Sequence, residues 1–557
     1  MSKTSLLAVA LLALSQSAVS QIIAPSGAGG QIQQIPPPPL QERKIPEIRL
    51  EERAAPATPE SDRVKVMVKS LRVTGQTLFS ESDLVAAAGF VAAAELSLAD
   101  LRAMAARIAD FYHKNGYIVT QAYVPAQDIL DGDVTIAVIE GRYGNITLRN
   151  QSKLSDSLAT GILDGLKSGD PVAIAPLENR LLLLTDVPGV LVKSTLVPGA
   201  SVGATDLIVD VTPGRTVSGS VEADNAGDRY TGVYRVGGTV NVYNLAGRGD
   251  VLTFRGMTAG SGMNYGRASY QMQFGKATAG VAYTALNYKL GEEFESLRAH
   301  GTAEIVSVYG SYPLVRTRNS NLYALLAADA KTFQDRVDAT SSVIDRKAQV
   351  LMASLNGNHR DTFGGGGVNS GLITWTTGNI DIETPSALVV DQATARTNGH
   401  FDKISYHAAR LQNVTERFSL YGSIRGQFAS KNLDISEKMG LGGMYGVRAY
   451  PVGEAYSDEG YIATLEGRYL LPRFSDRQLG RVHLIGFADT GTVNINKNPW
   501  VNVDNRRTLS GAGVGATWSE YNNFVVNTYY AWKVGNEVAR SAPDKDGRFW
   551  FQAIKFF

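Results

Sequence analysis

Residues 418–428 read Phe-Ser-Leu-Tyr-Gly-Ser-Ile-Arg-Gly-Gln-Phe. Successive side chains of an extended chain point to opposite faces. Phe418, Leu420, Gly422, Ile424, Gly426 and Phe428 therefore share one face, and Ser419, Tyr421, Ser423, Arg425 and Gln427 share the other. The same alternation sets Phe524, Val526, Thr528, Tyr530 and Trp532 against Asn527 and Lys533, and Gly266, Ala268, Tyr270, Met272 and Phe274 against Arg267, Ser269, Gln271 and Gln273. One face suits lipid and the other a wet lumen. A soluble sandwich with one solvated face also alternates. Against it stand runs of about ten residues rather than the usual five or six, and apolar faces built from Gly, Ala, Tyr, Trp and Phe instead of dense Val, Ile and Leu. Lipid offers no partner to a free strand edge, so such a sheet must close.

Strand starts fall near 217, 230, 250, 263, 279, 302, 320, 345, 366, 401, 418, 460, 481, 508, 522 and 548. The spacing predicts an all-β, 16-stranded transmembrane barrel over 215–557, with an even count that keeps both ends on the periplasmic side. The chain closes on Phe557, after Phe549 and Phe551, in the manner of an outer-membrane terminal signal, with Lys555 where an aromatic is usual.

Composition agrees. The 557 residues carry 54 basic and 53 acidic side chains, so no long-range attraction to nucleic acid is expected. Glycine is high at 57 residues, and charged residues are low at 19%. With no cysteine, disulfides, thiolate zinc sites and cysteine catalysis are all excluded.

Upstream of the barrel, residues 1–20 read as a cleaved export signal, with Lys3, an apolar stretch from Leu6 to Leu14, and Ala18 and Ser20 before the cut. Nine apolar residues are too few to span a bilayer, which takes about 20. Residues 21–62, with Pro36 to Pro39 at their centre, form an extended, mobile linker. Gln31 to Gln34 is too short, and its flanks too rich in Pro and Gly, to be assigned a helix. Two α+β modules follow, 63–141 and 142–214, each in the order β, α, α, β, β. In the first, Ser97 caps a helix whose face is Leu101, Met104, Ala105, Ile108, Phe111 and Tyr112. Arg142 lies near their junction.

The connection after the eleventh strand, residues 431–460, faces the cell exterior but concentrates Tyr445, Val447, Tyr450 and Pro451 in one tight stretch, which suits packing inside something. Strand thirteen, Arg481 to Gly491, puts Val482, Leu484, Gly486 and Ala488 outward and Arg481, His483, Phe487 and Asp489 inward. Asp489 needs a cation in the lumen, and Arg448 is the candidate.

Val447-Arg448-Ala449-Tyr450 resembles the VRG(Y/F) loop motif, and Phe487-Ala488-Asp489-Thr490-Gly491 the F-x-D-x-G wall motif, of two-partner secretion outer-membrane transporters, the TpsB group related to barrel assembly factors. Asp224-Asn225-Ala226-Gly227 followed by Tyr230-Thr231-Gly232 resembles the opening of that family's barrel. Ala449 stands where the family has glycine. The resemblance implies two POTRA modules in the periplasm, a folded-in sixth loop carrying Val447, Arg448, Ala449, Tyr450 and Pro451, and a pairing of Arg448 with Asp489 on a wall marked by Phe487 and Gly491. It also implies a monomeric pore in the outer membrane of a Gram-negative cell that passes one large exoprotein, unfolded in transit, to the surface.

The alternative reading is an insertion factor for other barrels. Two modules instead of a longer series, and the proline linker, favour secretion; a diffusion porin has no reason for the modules. No Ser/His/acid set supports an enzyme, and no cofactor or metal is expected. Gly511-Ala512-Gly513-Val514-Gly515-Ala516 has dinucleotide-motif spacing, yet no helix follows it.

Overall fold

The computed structural model describes residues 27–39, 47–50, 64–129, 131–475 and 477–557. The export signal expected over 1–20 lies outside the described residues, as do parts of the linker. Two short elements stand in the linker itself, α1 (Ala28–Gln33) and β1 (Glu47–Leu50).

The first module begins with β2 (Lys65–Val68) and β3 (Ser70–Thr74), which share one sequence run broken at Lys69. α2 (Glu81–Ala88), β4 (Ala94–Ser97) and α3 (Leu98–Lys114) follow, then β5 (Gln121–Tyr123) and β6 (Asp133–Ile139). β3, β6 and β5 form the sheet in that order, and β2 pairs with β4 apart from it. Ser97 caps α3: its hydroxyl accepts from the Asp100 amide, and the Asp100 carboxylate accepts from the Ser97 amide. Leu101, Met104, Ala105, Ile108 and Tyr112 are buried on the predicted face, against Val134, Ile136 and Val138. The strand expected from Ile118 starts only at Gln121. Ile118 and Val119 turn away to pack on the core of the second module, and the Gly116 carbonyl accepts from Ile174 N at 2.9 Å.

The second module consists of β7 (Arg142–Asn150), α4 (Asp156–Leu163), α5 (Ile174–Thr185), β8 (Val190–Pro198) and β9 (Ala204–Pro213). Its sheet runs β1-β8-β9-β7, so a linker segment supplies the outer strand, parallel to β8 with Glu47 opposite Lys193 and Leu50 opposite Leu196. Arg316, in the barrel's strand Ala299–Arg316, clamps Asp186 at the end of α5 with Nε and Nη2 at 2.6 and 2.9 Å, and so fixes this module to the periplasmic rim.

Sixteen strands then close a barrel, from β10 (Val217–Asp224) to β25 (Gly547–Phe556), which pair antiparallel from Ser220 opposite Phe556 to Asp224 opposite Gln552. The count equals the one read from alternation. The second strand, β11 (Arg235–Tyr243), begins later than the expected 230, because Asp228 accepts the Tyr230 amide and holds that stretch in a loop. Lys555 sits at the periplasmic end of β25, where its ammonium reaches the Asn523 side chain. Among the described residues no helix is long and apolar enough to cross a membrane; the strands do so.

The linker corrects the expectation of a mobile, helix-free tether. Proline and glycine cannot build a core of their own, but they fit inside one already built. α1 lies within the barrel lumen, Ala28 N donating to Asp335 Oδ1 at 2.8 Å. A side chain at Gly29 would come within 2.8 Å of the Ser436 Cβ, so close approach demands glycine there.

Candidate functional site

Three wall strands form the seat of the inward loop: β21 (Glu459–Leu470), β22 (Arg481–Asn494) and β23 (Arg506–Glu520). Pleat parity on β22 sends Phe487, Asp489 and Gly491 into the lumen while Leu484 stays exposed on the outer face. Across the ladder, Glu466 of β21 stands opposite Phe487 and Thr464 opposite Asp489.

The loop descends between β20 (Phe418–Ala429) and β21 and closes its tip on itself. Gly443 N donates to Tyr450 O at 3.0 Å, Tyr450 N to Val447 O at 3.0 Å, and Val447 N to Leu441 O at 2.9 Å. Val447, Ala449, Tyr450 and Pro451 are all buried, and the Tyr450 hydroxyl donates to the Glu537 carbonyl at 3.1 Å. This apolar content explains why the loop folds inward instead of waving in solvent.

Arg448 projects from that tip into the wall. Its Nε and Nη2 reach Asp489 Oδ2 and Oδ1, each at 2.8 Å, and its own amide reaches Oδ2 at 3.2 Å. Nη1 lies 2.9 Å from Glu466 Oε1. The guanidinium carbon sits 3.5 Å from the Phe487 ring centroid, with the Tyr529 ring at 5.1 Å. A planar fork meets two carboxylates in its plane and an aromatic face above it, which no lysine reproduces. The Thr464 hydroxyl adds a bond to Asp489 at 2.9 Å, and the Trp550 indole donates to the Arg448 carbonyl at 2.7 Å.

Glycines on the wall let the loop come this close. A side chain at Gly491 would meet Leu441 of the loop, and one at Gly511 would lie 2.5 Å from the Ala449 Cβ. Gly513 leaves room for the Phe487 ring, and Gly515 for Tyr529. The alternate glycines that imitate a nucleotide motif are thus a smooth track on the lumen face of β23.

Sequence reasoning brought Arg448 to Asp489 but missed four other groups of charges that the fold assembles. Glu466 was signalled only by its inward parity opposite the motif phenylalanine. Glu454, wholly buried in the loop, pairs with Arg507 of β23 and accepts from Arg540 N and Ser541 N at 3.0 and 2.9 Å. Glu437 takes Lys331 and Lys403 at 2.7 and 2.8 Å, and Arg346 joins Asp335 to Asp434. The last group also seats α1, since Asp335 receives the helix amide.

In the periplasm, Glu140 follows β6 at the junction of the modules. Burial alone would raise its pKa, but the Thr77 hydroxyl, the Thr77 and Leu78 amides and the Tyr112 hydroxyl all donate to it and hold it below the usual carboxylate range. Arg142 adds a contact at 3.4 Å.

A closed sixteen-stranded barrel that folds a loop into its own lumen and carries two α+β modules at its periplasmic rim is the architecture of outer-membrane polypeptide transporters and barrel-assembly factors, with the modules in the periplasm. Comparison with known proteins narrows this. The family model "Haemolysin secretion/activation protein ShlB/FhaC/HecB" matches residues 203–518, and the ShlB-type POTRA domain matches 66–141. The chain is 31% identical to the heme/hemopexin transporter protein HuxB of Haemophilus influenzae over 470 residues, 83% of this chain and 82% of that protein. The outer membrane transporter CdiB of Dickeya dadantii is 22% identical over 399 residues, 69% and 68% of the two chains. The solved structure of CdiB from Escherichia coli superposes with a TM-score of 0.67 at 20% identity, covering 91% of this chain and 94% of the other. The chain belongs to the ShlB/FhaC/HecB family and is a two-partner secretion pore of the outer membrane, working with a secreted exoprotein; it is a transporter and not an enzyme.

Proposed function

We propose that a single copy of this chain captures one large exoprotein, unfolded, at the sheet edges of its periplasmic modules and passes it extended through its own barrel. The observation that carries the reading is β1 on β8. The outer edge of the second module already accepts an extended segment by backbone pairing over Glu47–Leu50. Strand addition reads backbone more than side chains, which suits an unfolded client of any sequence. In the first module β5 is the corresponding edge, with no strand beyond it among the described residues. The barrel closes within one chain, so the pore needs no second copy, and its outer face meets membrane lipid.

In this reading Arg448, Asp489, Phe487 and Gly491 keep the loop at a fixed depth and orientation, while Val447, Ala449, Tyr450 and Pro451 fill the space around them. A bidentate pair in a partly dehydrated lumen fixes direction as well as position. No nucleotide is required, because folding outside biases the direction of transit. Deleting the gene and comparing culture supernatant with outer membranes tests the function. Loss of one large exoprotein with a normal complement of barrels is expected, whereas a general loss of barrels would overturn it.

A further inference from the structure

The segment that follows α1, Gln34 to Pro39, runs along the lumen wall. Gln34 closes the helix with helical backbone angles, φ −81° and ψ −9°, and Pro36 follows the bend at Ile35. Arg235 Nη1 donates to the Gln34 carbonyl at 3.0 Å and Arg255 Nη1 to the Pro36 carbonyl at 2.7 Å. Both arginines are more than nine-tenths buried, and each is held by a carboxylate of β10. Asp224 takes Nε and Nη2 of Arg235 at 2.9 and 3.2 Å, and Glu222 takes Nη2 of Arg255 at 2.8 Å. Each pair therefore leaves Nη1 of its arginine turned to the linker, with the arginine's position fixed in advance. Gly237 leaves room for this carboxylate, since a Cβ there would sit 3.2 Å from Glu222 Oε1.

Proline has no N–H, so the linker offers the wall its carbonyls, and the wall reads those. Every residue of every polypeptide carries the same acceptor. Arg255 Nε, also buried, has no partner among the described residues, so the site has donor capacity beyond what the linker takes.

We propose that Arg235 and Arg255 form a carbonyl-reading track for the exoprotein itself: once the linker leaves, a segment in transit places two of its backbone carbonyls on the same two donors. This rests on the secretion reading above and adds to it the place and chemistry of contact within the barrel. Ion pairing keeps the track near neutral, so it grips backbone without selecting acidic side chains.

The test uses the full-length chain in cells with its cognate exoprotein, a photo-crosslinker replacing Thr253 on the cavity wall beside Arg255, and heat-modifiable migration to verify insertion. Arg235→Gln with Arg255→Gln removes two charge-assisted hydrogen bonds, each worth about tenfold, and should slow secretion about a hundredfold and lower crosslinking in proportion. Arg255→Lys keeps the charge but loses the fork, should show a smaller loss, and carries the test alone if the double substitution prevents insertion. Arg267→Gln, whose arginine donates to Thr284 instead, should secrete normally. Unchanged or faster secretion in both Arg→Gln and Arg→Lys chains would overturn the proposal, because it is the result expected if the arginines hold only the linker. Absence of any exoprotein crosslink at position 253 in the otherwise unaltered chain, despite normal secretion, would remove transit through this lumen and the proposal with it; loss of secretion from the unaltered chain would instead strike the secretion reading.

Discussion

Replacing Arg448 with methionine leaves its two carboxylate partners in unequal trouble. Glu466 keeps Arg468, whose Nη2 lies 2.8 Å from Oε2. Asp489, 2% exposed, keeps the Thr464 hydroxyl and the residue-448 amide, but no cation. Removing one partner of a buried ion pair costs about 3–5 kcal/mol. The balance between seated and released loop should then move by roughly two to three and a half powers of ten. Sixteen-strand closure involves none of these contacts, so the barrel should still insert and migrate as a heat-modifiable band. Secretion should fall severely, and trypsin added to whole cells should nick the chain between β20 and β21, where Lys438 of the seated loop is protected. Adding Asp489→Asn to Arg448→Met removes the orphaned charge, and should recover protease resistance more than secretion, since the fork's orientation is still missing. Arg448→Glu is the severest case, placing a third carboxylate against two. Normal secretion with a protease-resistant loop in the Arg448→Glu chain would refute the reasoning outright.

Gly511→Ala should displace the loop tip by putting a methyl 2.5 Å from the Ala449 Cβ, and Ala449→Gly in the same chain should restore secretion; failure of that pair to compensate would mean the two surfaces do not touch. Arg49→Cys with Thr195→Cys places thiols at directly opposed positions of β1 and β8 in a chain otherwise free of cysteine, so oxidation should lock the linker strand onto the edge and block secretion until reductant is added. Glu140→Gln should destabilise the first module by about 2 kcal/mol near neutral pH, read by thermal melting of the detergent-solubilised chain. Because Glu140 titrates below its ordinary value in the folded state, its stabilisation is full above the ordinary carboxylate pKa and fades as pH drops through the lower folded one, so the gap between the two melting curves should close in acid.

Much of this was legible because lipid imposes a period. Alternation such as Phe418 to Phe428 has one reading when the strands are long and the chain is exported, and the strand count follows from it. Arg448 and Asp489 were legible for a related reason: an inward carboxylate in strand thirteen demands a cation, and the loop supplies one among apolar residues. Glu454 and Arg507 were not, since 53 residues and a barrel wall separate them and nothing local marks either as buried. The linker failed differently. Its glycines and prolines read as freedom, a correct inference for a chain in water, but Gly29 is glycine because Ser436 leaves it no room, and Pro36 is held by its carbonyl. Composition reports what a segment cannot do alone, not what a cavity made elsewhere in the chain can do with it.

The same cavity gives the near-balance of 54 basic and 53 acidic residues a mechanical sense. A pore for one long polypeptide must tolerate whatever charge passes, and an unpaired arginine or carboxylate at low dielectric would hold an opposite side chain tightly enough to stall it. Inside this barrel many of the strong charges come already matched: Arg235 with Asp224, Arg255 with Glu222, Lys331 and Lys403 with Glu437, Arg346 with Asp335 and Asp434. Pairing cancels the far field but not every hydrogen-bond donor, so what the wall still offers is short-ranged and directed at backbone. A lumen lined this way can hold an extended chain at many weak, repeated points and release each as the next forms. The linker now lying there, Pro-rich and uncharged from Gln31 to Pro39, is the least demanding occupant such a wall could be given.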